Sequence, residues 1–335
     1  LRFVLVLCVL FFVNAALRAQ ALDSDHDGLP DTLEDALLLR FTPTLWVSAN
    51  DCSALPAQFA QGASVPTPQQ DNGTLYGQAT PRTVEHRKAI ELHYYHLWRT
   101  DCGRLGHALD AEHVAVLLRL PEGKANEADA WQAEFWYAAA HEDTVCDASQ
   151  IARASTLHSE HDGANIWISS GKHASFLTEE LCKHGCGGDV CVKSKPMHAT
   201  TVINLGELHH EMNGFNWITS PAWPLAEKMR RSDFIDARVN RLLQLPQTDV
   251  AWANPEKRPA QAAILGGNAT IDGTLVGIRS TDTAVSVASD KTGGALGTAK
   301  RATGHALGKS FHAIGKALGA TKSEPSPKTN SPAPQ

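Results

Sequence analysis

Six stretches of this chain alternate their side chains with a period of two: TLWVS, AIELHYYHLWR, EHVAVLLRL, WQAEFWYAAA, ANIWISS and ATTVINL. All are rich in the aromatic and β-branched residues that suit a pleated surface, and each is bounded by Gly, Pro, Asn or Asp. Short strands separated by turn signals predict a mainly β fold, an antiparallel β-sandwich. An apolar share of 43% supplies a sizeable core. No repeat of fixed period divides the chain.

The flanks differ from this body. Arg2 precedes an apolar run from Phe3 to Val13, which is too short to span a bilayer and ends in the small-x-small pattern Ala19-Gln20-Ala21. Residues 1–21 are therefore expected to be a secretory signal peptide, and the mature chain to be secreted or periplasmic. Six cysteines follow: Cys52, Cys102, Cys146, Cys182, Cys186 and Cys191. An even number in an exported chain predicts disulfides, with about 15 possible pairings. CKHGCGGDVC, which holds three of them, is expected to pair rather than to bind zinc, with Cys146 as one partner. Residues 22–42 form a loop and helix, 43–254 the sandwich, and 255–335 a loosely structured tail rich in Ala, Gly and Lys. The chain carries 30 basic and 36 acidic residues, a net charge of −6, yet residues 289–335 hold seven basic and two acidic ones. The spacing of Leu307, Phe311, Ile314 and Leu318 predicts one stripe of a basic amphipathic helix, which suits packing on the acidic body or lying on a membrane surface. The acidic body argues against nucleic acid as a partner.

The sharpest chemical signal is DSDHDGLPDTLE, residues 23–34. Counted from Asp23, carboxylates fall at positions 1, 3 and 5 (Asp23, Asp25, Asp27), Gly28 at 6, Asp31 at 9 and Glu34 at 12. Leu29 offers its backbone carbonyl at 7. Alternate oxygen donors converge on one point, glycine permits the tight reversal, and the glutamate clamps from the first helical turn, which is what calcium requires. Asp31 can also cap the helix start. The segment resembles the loop of EF-hands and the calcium loops of thrombospondin type 3 repeats, without an entering helix. Structural Ca²⁺ is the expected cofactor.

A second cluster lies in YHLWRTDCGRLGHALDAEHVAVLL. In a strand, Asp110, Glu112, Val114 and Val116 share one face and His113 takes the other with Leu117. Two carboxylates there need a cation, a histidine or solvent. GHALDAEHVAV resembles the heptad region of the necrosis- and ethylene-inducing-like proteins. LRFTPTLWVSAND, ELHYYHLW and NIWISSGKHASF, in the same order, are similar to blocks of the vacuolar protein sorting-associated sixty-two family across Arg40 to Trp223. The first resemblance implies a divalent metal on a β-sandwich that binds membrane glycolipid, held through His107, Asp110 and Glu112. Asp101 is the near candidate for a further upstream carboxylate, and His173 in SGKHASF can face the same site. Leu109 and Ala111 replace a histidine and a tryptophan of the heptad, which departs from the cytolytic pattern.

LHHEMNG lacks the second histidine of a metalloprotease helix, and neither a GxSxG elbow nor a phosphate-cradling glycine loop occurs. With no complete catalytic set, the first expectation is a binding module for a glycan or lipid headgroup, presenting a shallow groove lined by exposed aromatics such as Trp98 or Tyr95. A metal-assisted hydrolase using His107, Asp110 and Glu112, with His173 as acid or base, stands second. A structural envelope protein stands third.

Overall fold

All six alternating stretches form strands, and they assemble into two main sheets. The computed structural model describes residues 21–103, 106–183, 185, 189–221 and 223–257. The expected leader, save Ala21, and the basic amphipathic stretch lie outside these residues.

The smaller sheet has β1 (Thr44–Ser48) between β9 (Asn165–Ile168) and β11 (Ser194–Met197), with β10 (Ser175–Phe176) outside β9. The larger sheet orders seven strands as β12 (Thr201–Asn204), β4 (Thr74–Val84), β5 (Arg87–Asp101), β6 (His107–Arg119), β7 (Gln132–Ala138), β8 (Gln150–Arg153) and β15 (Ala251–Trp252). Two small ribbons pair β2 (Ala57–Phe59) with β3 (Pro68–Asp71) and β13 (Gly206–Glu207) with β14 (His210–Glu211). Pairing is antiparallel except for β1 with β9 and β12 with β4, where the strands run parallel.

The core between the sheets joins Leu45, Ile166 and Phe176 of the smaller sheet to Tyr94, Val114, Val116 and Trp136 of the larger one. Helix α1 (Asp31–Arg40) plugs the same core with Leu33, Leu37 and Leu38. It starts after Pro30, a residue that lacks the N–H a first turn would leave unpaired. Pro43 stops the chain from continuing as helix, and Thr42 satisfies the last turn by donating to the carbonyl of Leu38 at 2.7 Å. Asp31 does not cap it, because its side chain turns back to Ser24. At Gly77 a Cβ would lie 2.6 Å from Leu38 Cδ2, so the helix rests on β4 where only glycine fits.

The larger sheet is covered on its second face as well. Phe215, Trp217, Trp223 and Met229 pack on Tyr76, Tyr95 and Leu97, and Phe234, Val239 and Leu242 on Ala115, Leu117 and Tyr137. Double coverage explains why residues 89–98 of β5 are buried without interruption. It also removes the expected groove of exposed aromatics: Tyr95 and Trp98 are both within the core.

Candidate metal centre in the acidic loop

The loop between Leu22 and α1 turns at Gly28, whose φ of +95° is open to glycine and strained for other residues. That reversal gathers Asp23, Asp25 and Asp27, whose ligand atoms lie within 4.8 Å of one another. The loop backbone fixes two of them. Gly28 N–H donates to Asp23 Oδ2 at 3.2 Å, and Leu29 N–H donates to Asp27 Oδ1 at 2.7 Å. Glu34, fully buried in the first turn of α1, accepts from Asn204 Nδ2 at 3.3 Å, so a strand of the larger sheet orients it. Asp31 is occupied at both oxygens by the N–H and hydroxyl of Ser24, each at 2.7 Å.

Five oxygens remain: Asp23 Oδ1, both oxygens of Asp25, Asp27 Oδ2 and Glu34 Oε1 are buried and accept no hydrogen bond. Unpaired carboxylates out of water are among the most costly groups a fold can hold. Burial, reinforced by the charges of Glu207 and Asp23, pushes Asp25 up to about 6. Burial and the neighbouring Asp25 and Glu207 charges push Asp27 up to about 7. Burial and the charges of Asp25 and Asp27 push Glu34 up to about 9. Asp31 moves the other way, because its bonds from Ser24 outweigh burial. A donor set made only of hard oxygens fits calcium or a similar hard cation. Asn204 and Glu207, which reach this site from β12 and β13, were not legible as partners, since about 170 residues separate Asn204 from Glu34.

The second cluster is arranged differently. His173 lies flat on Trp98, ring centroids 4.0 Å apart and planes 7° apart. Its Nδ1 meets Asp110 Oδ2 at 2.9 Å, and its Nε2 faces Asp51 Oδ1 at 3.6 Å. Burial pulls this imidazole down, but the bonds to Asp110 and Asp51 prevail and hold it at about 9. Asp101 accepts from Lys172 Nζ at 2.8 Å, with the exposed His107 at 3.7 Å. Glu112 faces Lys228 Nζ at 3.5 Å; burial raises it to about 7 although the lysine pulls the other way. Asp101, His107, Asp110, Glu112 and His173 thus divide among separate ion pairs. Among the described residues no three of them gather around one point.

A third polar group escaped sequence reading. Glu91, His93 and Tyr95 alternate along β5 and so share a face. His93 joins Glu91 at 2.9 Å and Tyr95 at 2.8 Å, and His113 of β6 joins Asp233 at 2.9 Å. Arg82 and Ser232 bind Glu91, and Arg231 binds Glu142 beside them. Hydrogen bonds and guanidinium groups occupy most of this stripe, as in a structural network. Even so, Glu91, His93 and Asp233, and likewise His113, Glu142 and Asp233, bring ligand atoms within 4.8 Å of one another, and His113 Nδ1 has no hydrogen-bond partner. Its signal was visible as polar residues at every second position of an otherwise apolar strand.

Disulfides tie loops around these groups. Cys52 pairs with Cys102 next to Asp51 and Asp101, and Cys182 pairs with Cys191. Cys146 is disulfide-bonded as well.

No family model matches the chain, and no curated protein does. Solved structures similar to it are necrosis- and ethylene-inducing proteins. Necrosis and ethylene inducing protein 2 from the causal agent of cocoa's witches' broom disease is 17% identical, over 63% of this chain and 94% of that one, at a TM-score of 0.34. NLPPya in complex with mannosamine is 18% identical over 55% and 77%, at 0.29. The non-toxic HaNLP3 protein is 15% identical over 65% and 89%, at 0.34. Likenesses this distant leave the function to this chain's own geometry.

Proposed function

We propose that this chain is a calcium-stapled β-sandwich that works outside the cytoplasm as a binding module for a glycan or a lipid headgroup. The observation that carries the calcium is the set of five buried carboxylate oxygens without partners. Asp23, Asp25, Asp27, the carbonyl of Leu29 and Glu34 would hold the ion, with Asp31 acting through water because Ser24 occupies it. The ion's role is structural: it neutralises the loop and, through Glu34 and Asn204, fastens α1 to the larger sheet. The block order from Arg40 to Trp223 is the support for relating the body to the sorting-associated family. Disulfides support an oxidising compartment. The second residue set is spent on ion pairs, which supports binding over metal-assisted hydrolysis.

Isothermal calorimetry of the protein with Ca²⁺ tests this reading. One ion should bind, with an affinity of about 10⁻⁴–10⁻³ M as in extracellular modules. Asp27→Ala should abolish the heat, and Asp110→Ala should leave the stoichiometry at one. Absence of both heat and any gain in melting temperature on adding Ca²⁺ overturns it.

A further inference from the structure

Beside the acidic loop opens a groove of about 1210 Å³, to which Gly28 and Leu29 themselves contribute. One wall is the paired ends of β4 and β5 and the other is the loop joining β6 to β7. The floor is apolar where the half-buried Leu120 and Pro121 reach it, with Ile90 and Trp131 buried in the core behind them.

Its charge opposes that of the chain. Arg82, Arg87, Lys88, Arg119 and Lys124 line it against two carboxylates, Glu122 and Glu134. Glu91 and Glu85, just outside the lining, pair with Arg82 and Arg87, so five cations meet four anions and one positive charge remains here, on a chain whose net charge is −6. Arg119 is a built part of the wall, donating to Glu134 and to the carbonyls of Val84, Arg87 and Lys88. Arg87 shares Glu134 at 2.8 Å. Arg82 is held by Glu91 at 3.1 Å. Lys88 and Lys124 are exposed and make no ion pair among the described residues. Two free ammonium groups over an apolar floor match a ligand with flat apolar faces and anionic substituents.

We propose that this groove binds an acidic oligosaccharide, one bearing uronate or sulfate groups, and that calcium on the neighbouring loop tightens the binding. Pyranose rings lie against Leu120 and Pro121 and their anionic groups meet Lys88 and Lys124. A phospholipid surface fits less well, because among the described residues no exposed large hydrophobic side chain borders the groove. Coupling follows from position. Leu29 serves the groove with its side of the loop and the ion with its carbonyl, so whatever orders the loop for one ligand orders it for the other, reciprocally. This half of the proposal rests on the calcium reading above; the groove itself does not.

Calorimetry with a chondroitin sulfate hexasaccharide decides it, run in EDTA and in saturating Ca²⁺, with cellohexaose as neutral control and anionic phosphatidylserine vesicles as the lipid arm. The expected result is salt-sensitive binding of the sulfated sugar, with none to cellohexaose or vesicles. Lys88→Gln/Lys124→Gln should weaken it at least about tenfold at an unchanged melting temperature, since both side chains are exposed. Ca²⁺ should tighten it about fivefold in the wild type and not in Asp27→Ala. Equal binding by the double variant, equal binding of cellohexaose, or binding of vesicles in place of the sugar overturns the groove. Lysine-dependent binding that ignores Ca²⁺ in a protein that does bind Ca²⁺ overturns the coupling. Lysine-dependent binding in a protein with no calcium heat sinks the calcium reading and leaves the groove standing.

Discussion

The acidic loop and the edge of β6 each gather several carboxylates in a short stretch, and each reads from sequence as a metal site. In the folded chain they differ in what meets the negative charge. At the edge, Asp101 finds Lys172, Asp110 finds His173 and Glu112 finds Lys228. In the loop no lysine, arginine or histidine pairs with Asp23, Asp25, Asp27 or Glu34 among the described residues, and five oxygens stay bare; at the edge Glu112 Oε2 also accepts no hydrogen bond, but it faces Lys228 Nζ at 3.5 Å. A carboxylate cluster is thus a candidate for a metal only when the rest of the fold withholds cations from it. That condition is three-dimensional: Lys172 and His173 arrive about 60 residues after Asp110, and Lys228 more than 100 after Glu112.

Removing a cation from the edge should have the largest effect. His173→Ala leaves Asp110 without its cation and Asp51 with only the backbone N–H groups of Gly171 and Ser53, so it should destabilise the protein by about 3–5 kcal/mol in urea unfolding, with no change in calcium stoichiometry. A loss below about 1 kcal/mol would mean that this pairing does not hold the edge together. The pH dependence sharpens the same point. The folded pKa of His173 is raised to about 9 against an unfolded value near 6.5, so its stabilisation is complete below pH 6.5 and is lost as pH rises through 9. Asp110 and Asp51 face the ring directly, and the buried His96, pushed down by burial, stays neutral beside it. A loss of roughly 3 kcal/mol across that window is expected from the wild type. His173→Gln should flatten it.

How far the sequence carried this comparison depends on the range of the contacts involved. Local spacing was enough to gather Asp23, Asp25 and Asp27 at the turn on Gly28, because these residues act on one another within a few positions. Period-two patterning was likewise enough for the strands, and it correctly set His113 on the face of Leu117, opposite Val114 and Val116. What it missed was the second cover on the larger sheet. Phe215, Trp217, Trp223 and Met229 come from the far end of the body, and no local pattern says that they fold back over Tyr95 and Leu97. Tyr95 and Trp98 therefore looked available for a ligand and are core residues. Glu91 and His93 were legible as polar intruders in a buried strand, but their partners Asp233 and Ser232 lie more than 100 residues away.

Calcium should produce the next effect in size. At about 100 times its dissociation constant it adds about 2.7 kcal/mol, or roughly 5–10 °C in melting temperature for a body of this length. EDTA should reverse the gain, and the edge variants should keep it. If His173→Ala abolished the calcium gain without unfolding the chain, the two regions would be one site and the contrast between them would fail.

The smallest effect discriminates best, because its sign differs between the regions. Asp25 is buried with both oxygens unpartnered, so an uncharged isostere removes a penalty in the metal-free protein. Asp25→Asn should therefore raise the melting temperature in EDTA at pH 8, by about 1–3 °C, which is under about 1 kcal/mol for a body of this length, while eliminating the rise caused by Ca²⁺. Asp110→Asn is the same chemical change at the edge, where the carboxylate already has a cation, and there it should lower the melting temperature with or without Ca²⁺. Two identical substitutions with opposite signs would show that the loop awaits a charge the fold does not provide. Two losses of similar size would mean that the loop carboxylates already have partners, and the calcium assignment would have no physical basis left.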